Sequence, residues 1–355
     1  MTEGAEAPSR RSRLVWHVLV GLVLAAALFA LLLWRVDLRG LGRALSAISA
    51  WHVIAACACR ALVVVFRSLR WRRLGVVHGR ATALDCLSAN ASGMLVGLAF
   101  PGLNDFARAY LVKRRAQVGF GSVLGVLMAE RVLDVLLVLA IIFGVLLFVP
   151  GVAWGVVSSV VLVAAGVVAA GLLALPVVVG ARSVRWIERA VSVVSQRLGQ
   201  RAAGFIESFG DALRRLRELR SRAIAEIAVL SVLMWIANAA SAYIVFHGLG
   251  RGASLGFGAA LFTVALVAFG MLVPVTPAGL GQFHAMVVIA LGVFGVGREA
   301  GMSFALVLHG VLLAVTVLLG VPFVYREHVG ITRLERAREA AEERSPARPG
   351  TPAVD

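Results

Sequence analysis

Apolar residues along this chain fall in long unbroken blocks, with neither the alternation of a strand nor the one-sided stripe of a surface helix. The blocks are Leu14–Leu33, Trp51–Phe66, Gly121–Val149, Trp154–Val179, Ile224–Phe246 and Ser303–Phe323. Most reach the roughly 20 residues that a helix needs to cross about 30 Å of hydrocarbon. A membrane barrel would instead show short alternating segments. Two further apolar segments are interrupted. Thr82–Phe100 runs into "PGLNDFARAYLVKRR", and Leu255–Val273 runs into "PVTPAGLGQFHAMVV". Each reads as apolar helix, Pro/Gly break, then a helix with polar residues in its first turn. The pattern predicts an all-α polytopic integral membrane protein with about six full spans and two re-entrant broken-helix hairpins.

Composition agrees. Of 355 residues, 60% are hydrophobic and 15% charged, and the mean hydropathy is +0.91. Soluble domains are about half apolar and a quarter charged. The first block is long, ends in Trp34-Arg35 and lacks a small-x-small cleavage site followed by a soluble domain, so it reads as a retained helix.

Charge orients the path. The net charge is +16, which cytoplasmic loops and anionic lipid explain more economically than nucleic acid. With Arg10, Arg11 and Arg13 inside, the second block returns to the inside cluster Arg67, Arg70, Arg72 and Arg73. Were Thr82–Phe100 to cross, Lys113, Arg114 and Arg115 would lie outside, against the positive-inside tendency. A hairpin that dips in and returns keeps them inside. The second hairpin then enters from the outside, so the two form an inverted pseudo-repeat. Of the 35 Lys and Arg, only Arg35, Arg39, Arg43, Arg251 and Arg298 fall outside on this path. The expected organisation is a basic cytoplasmic tail over 1–13 and a membrane domain over 14–325. A basic amphipathic cytoplasmic linker over 181–222 divides that domain, and a charged, partly disordered cytoplasmic tail occupies 326–355. Location in the cell membrane follows, with both termini cytoplasmic.

Helix breakers at membrane depth need a reason. A break leaves backbone N–H groups unpaired, which in lipid cost several kcal/mol each unless buried against protein, water or ligand. Such groups at a helix start attract anions. Paired broken helices point to a transporter site at the midplane; kinked spans filled by neighbouring helices are the alternative. Asn104 is placed to cap the helix after the first break.

Ionisable groups within spans are functional candidates. Glu130 and Asp134 share a helical face, and Arg131 is placed to neutralise part of their charge. Together they form either an internal ion cluster or a wall contacting a headgroup. Arg60 lies mid-span, to pair with Glu130 or Asp134 or to hold a phosphate. Asp105 and Arg108 follow the first break, and His284 lies in the first turn after the second. His309 and Asn238 read as interhelical hydrogen-bonders. Cys57, Cys59 and Cys86 have neither disulfide nor zinc spacing, and no cofactor or metal is indicated.

"PGLNDFARAYL", "ERVLDVLLVLA" and "PVTPAGLGQFHAMVVIALGVFGV" resemble three signatures of the lysylphosphatidylglycerol synthase transmembrane, or flippase-like, family. The resemblance covers about Leu14 to Tyr325. It matches Asp105 and Arg108 to the first signature, Glu130, Arg131 and Asp134 to the second, and Pro277, Gly279 and Gly281 to the third. Asn104 departs by standing where glycine is usual, Ala278 replaces a glycine, and His284 occupies a position often held by Glu. The resemblance implies movement of a phosphate-bearing lipid, aminoacylated phosphatidylglycerol or a polyprenyl-phosphate lipid, between leaflets. The soluble synthase domain of the bifunctional relatives has no counterpart, and no catalytic constellation is recognised. A non-enzymatic transporter is therefore expected. The alternative is a membrane component of an aminoacyl- or glycosyl-transferase system, acting as enzyme subunit or scaffold with a separately encoded partner. Self-association is left open.

Overall fold

A computed structural model of the chain describes residues 46, 48–74, 81–100, 102–116, 119–148, 218–250, 254–273 and 276–344. The first and fourth apolar blocks, most of the linker over 181–222 and the two chain ends lie outside the described residues. Those described form helices and no strand. Among the described residues, three helices are long and apolar enough to cross a membrane.

α1 (Ala50–Arg73) ends in a basic turn, which suits the negative pole of a helix. α2 (Ala83–Ala99) opens on a capping box: Thr82 Oγ1 accepts from the Asp85 N–H at 3.2 Å, and Asp85 accepts the Thr82 N–H at 3.0 Å. It ends at Phe100, whose extended backbone is what a following proline imposes. Gly102 then takes φ +82° and the chain re-enters a helix, α3 (Asn104–Ala116). Gly93 and Gly97 let the two helices close. A Cβ on Gly93 would lie 2.5 Å from Arg108 Cγ, and one on Gly97 would lie 3.0 Å from Asn104 Cβ. At the open end, Arg115 of α3 reaches Asp85 of α2 at 2.9 Å. The start of α2 and the end of α3 therefore lie together, and the pair is an antiparallel hairpin.

α4 (Phe120–Leu146) and α5 (Ser221–Gly248) follow. α5 packs along α1, where Ser241 Oγ donates to the Ala56 carbonyl and Gly248 admits Ile48. The second hairpin comprises α6 (Phe257–Gly270), a 3-10 turn (Pro277–Gly279) and α7 (Gln282–Gly292). Its register is set by Gly270 against Met286 and Phe262 against Phe294, and its tip by Gln282 Nε2 donating to the carbonyls of Gly270 and Val273.

α8 (Arg298–Arg344) is 47 residues long. The helix thus continues through Arg326, where the sequence pattern suggested a cytoplasmic tail begins. Its contacts show how the hairpins are placed. Arg326 and Glu327 bind Asp85 and Arg115 at the base of the first hairpin. Gly301, at the other end of α8, touches Val288 of the second. The hairpins enter the bundle from opposite ends, and residues of both tips face one interior space. The outer surface carries large apolar side chains: Trp51 is 73% exposed, Leu318 68% and Phe148 86%. Such a surface is excluded from water only in lipid or against another protein.

Candidate functional site

The site starts from α4. Glu130 and Asp134, one turn apart, face α1. Glu130 Oε1 accepts from Arg67 Nε at 3.1 Å and Arg70 Nη2 at 3.0 Å, and its Oε2 from Arg108 Nη2 at 3.1 Å. Asp134 Oδ1 lies 2.7 Å from Arg70 Nη1. Arg131 turns the other way, onto α3, and places Nε and Nη2 at 2.9 and 2.7 Å from Asp105 Oδ2. Arg108 closes the chain by reaching Asp105 Oδ1 at 3.2 Å, with its guanidinium 4.5 Å over the Trp71 ring. A buried ion network thus joins α1, α3 and α4. Glu130 and Arg108 are essentially inaccessible, and burial of charge on this scale is tolerable only when each ion is paired.

Several expectations change here. Arg67 and Arg70 are not loop charges: Arg70 is fully buried, and Arg67 is partly buried with its side chain 20% exposed. Arg131 serves Asp105 instead of Glu130 or Asp134, because residues next to each other in a helix point about 100° apart. Arg60 meets neither carboxylate; its Nη1 donates to Asn238 Oδ1 of α5 at 2.7 Å. Asn104 does not cap α3. It is the first helical residue, and its Oδ1 has no partner. The Leu103 carbonyl accepts the Ala107 N–H instead.

A cavity of about 670 Å³ lies beside this network. Arg60, Arg67, Asn104, Asp105, Arg131 and Asp134 line it, with Asn238, Thr263, Thr276 and Gly279. Glu130 and Arg108 stand behind, holding the lining arginines in place. Apart from Ser241 and Thr316 its remaining walls are apolar, including Leu98, Met128, Val267 and Leu312. A mostly apolar chamber with a few convergent polar groups is the usual form of a small-molecule site.

The second break differs from expectation. Its N–H groups are largely used internally: Gly279 N–H donates to the Thr276 carbonyl, Leu280 N–H to Pro277, and Gly281 N–H to His284 Nδ1 at 3.3 Å. His284 Nε2 meets His309 Nδ1 at 3.4 Å, and His309 Nε2 meets the Ala278 carbonyl at 2.9 Å. An amide donor at one end and a carbonyl acceptor at the other fix every proton between them. Both imidazoles are neutral and protonated on Nε2. This relay holds Ala278 at φ 53° and Gly281 at φ 82°, conformations that cost a side-chain-bearing residue about 1–2 kcal/mol. His284 is buried and, like Pro277 and Gly281, does not line the cavity, whereas Gly279 does.

Sequence reading missed Arg67, Arg70, the Gly93/Gly97 seat and the pairing of His284 with His309. Two signals were present. Arg60 and Arg67 are seven apart, hence on one helical face, and Gly93-x-x-x-Gly97 is the spacing of closely packed membrane helices.

Apolar spanning helices around a buried polar chamber define a helical integral membrane protein. A family model described as the lysylphosphatidylglycerol synthase TM region matches residues 18–320. The chain belongs to that family. No curated protein and no solved structure matches it.

Proposed function

We propose that this protein carries a phosphate-bearing lipid between the leaflets of the cell membrane, as a flippase or transporter. The two hairpins act as re-entrant segments from opposite membrane faces. The observation that carries this reading is the shared cavity: both hairpin tips line it, and its polar groups lie between apolar walls where a headgroup would cross. Cations exceed anions among the charged groups described there. Arg60, Arg67 and Arg131 line the cavity with Asp105 and Asp134, and behind them Arg70 and Arg108 pair with the buried Glu130. That excess favours a phosphate oxygen. The carboxylates are occupied as ion-pair partners, which favours binding over acid–base chemistry.

The test is lipid movement in proteoliposomes. Purified protein is reconstituted with fluorescent phosphatidylglycerol, and dithionite bleaching reads transfer between leaflets. Wild type is expected to exceed protein-free vesicles, and Arg131→Ala to fall toward them. Equal rates for wild type and Arg131→Ala would refute this use of the cavity.

A further inference from the structure

Among the described residues, Arg60 is the cavity-lining cation without a carboxylate partner. It sits near the midpoint of α1, two turns from Arg67, which is about 10 Å along a helix. Among the described residues no carboxylate lies within ion-pair distance of it. Its hydrogen-bond partner among the described residues is the neutral Asn238, and its Nε is buried with no partner there. Trp235, one turn before Asn238 on α5, also lines the cavity, and its indole Nε1 is likewise buried and unpartnered. Arginine and tryptophan nitrogens are donors only. At this level the buried side-chain atoms left without a partner are therefore both donors, and a guest that satisfies them must present acceptors. The level of Arg67 and Asn104 differs. There the orphans are of both kinds, Arg67 Nη2 as donor and Asn104 Oδ1 as acceptor, and two carboxylates line the wall.

We infer that Arg60, with Asn238 and Trp235, forms a second station at mid-depth that takes an anionic, acceptor-only group and selects lipids of net negative headgroup charge. The inference rests on the lipid-carrier reading and narrows it. The mixed lower level accommodates a headgroup bearing both signs. The mid-depth station offers an ammonium group no carboxylate, only neutral oxygens already engaged: Asn238 Oδ1 accepts from Arg60, and Ser241 Oγ donates to the Ala56 carbonyl. A headgroup with a net positive charge therefore meets an unpaired guanidinium halfway across. A free anion such as phosphate shares the relevant chemistry, and the experiment separates the two sources.

Two readouts test this. In native mass spectrometry of protein in mixed micelles, wild type is expected to retain phosphatidylglycerol over phosphatidylcholine. Arg60→Gln should cut that preference about tenfold, the loss expected for one charge-assisted hydrogen bond, and Arg60→Lys should restore most of it. An unchanged preference in a monodisperse Arg60→Gln protein overturns the inference, whether or not wild type moves lipid. Displacement of the retained lipid by millimolar inorganic phosphate would assign the station to a soluble anion and overturn its lipid role. In vesicles, wild type should move phosphatidylglycerol faster than its lysyl ester, and Arg60→Gln should shrink that ratio. Wild-type vesicles that move nothing would defeat the carrier reading, while the retention measurement still decides the station.

Discussion

Glu130 is held by three guanidinium groups at about 3 Å and is 1% exposed. Replacing it with Ala leaves several buried cations short of a partner, and breaking a buried pair in this way typically costs about 3–5 kcal/mol. Glu130→Ala should therefore lose thermal stability in detergent, read as recovery of monodisperse protein after heating, and Glu130→Gln should lose less because an amide oxygen still accepts. Arg131 is the contrasting case. It is 36% exposed and bonded to Asp105 alone among the described ion pairs, so Arg131→Ala should cost only about 1 kcal/mol of stability. Its melting curve should stay near wild type while lipid transfer falls. The pair separates a group that holds the wall together from one that faces the guest. The spacing of Glu130 and Asp134 was legible in the sequence because helix periodicity fixes it. Their partners were not: which arginine faces which carboxylate depends on how α1, α3 and α4 are rotated against each other, and no local pattern records that.

At the scale of elements, the hairpins are held shut by different means. The first relies on absent side chains. A methyl group on Gly93 would meet Arg108 Cγ at 2.5 Å and the Asn104 carbonyl at 2.9 Å, so Gly93→Ala should destabilise by about 1–3 kcal/mol through overpacking. Gly102 has open space around it and only its φ of +82° at stake, so Gly102→Ala should cost about 1–2 kcal/mol and leave the helix spacing intact. Thermal melting of the two purified variants in detergent measures both losses. The second hairpin relies on hydrogen bonds in series. His284→Ala and His309→Ala should each cost about 1–3 kcal/mol, and the double variant little more than either alone, because one missing imidazole already breaks the relay. The breaks themselves were readable from Pro and Gly. That the second is sealed by a histidine from α8 was not, since twenty-four residues separate it from His284 along the chain.

For the whole molecule, the contacts of α8 place the hairpins at opposite ends of the bundle. The membrane crossing itself is open to a direct measurement. In a background with Cys57, Cys59 and Cys86 replaced, Arg72→Cys and Lys113→Cys should react with an impermeant maleimide from one side. Phe148→Cys, at the far end of α4, should react from the other. Labelling of Lys113→Cys together with Phe148→Cys would mean that the α2–α3 segment crosses fully. The family and the helical membrane class were legible because hydrocarbon thickness and helix rise leave a long apolar block little choice. The cavity was not, because its lining comes from all eight described helices and the turn between two of them.

α8 grips the tip of one hairpin through His309 and the base of the other through Arg326 and Glu327. Those handholds are about 25 Å apart on a single rod. A tilt of that rod would tug on the two gates at once, so neither could swing independently. Spin labels on α3 and α7 would then change separation from α8 in step, and loss of the Glu327 anchor would uncouple them.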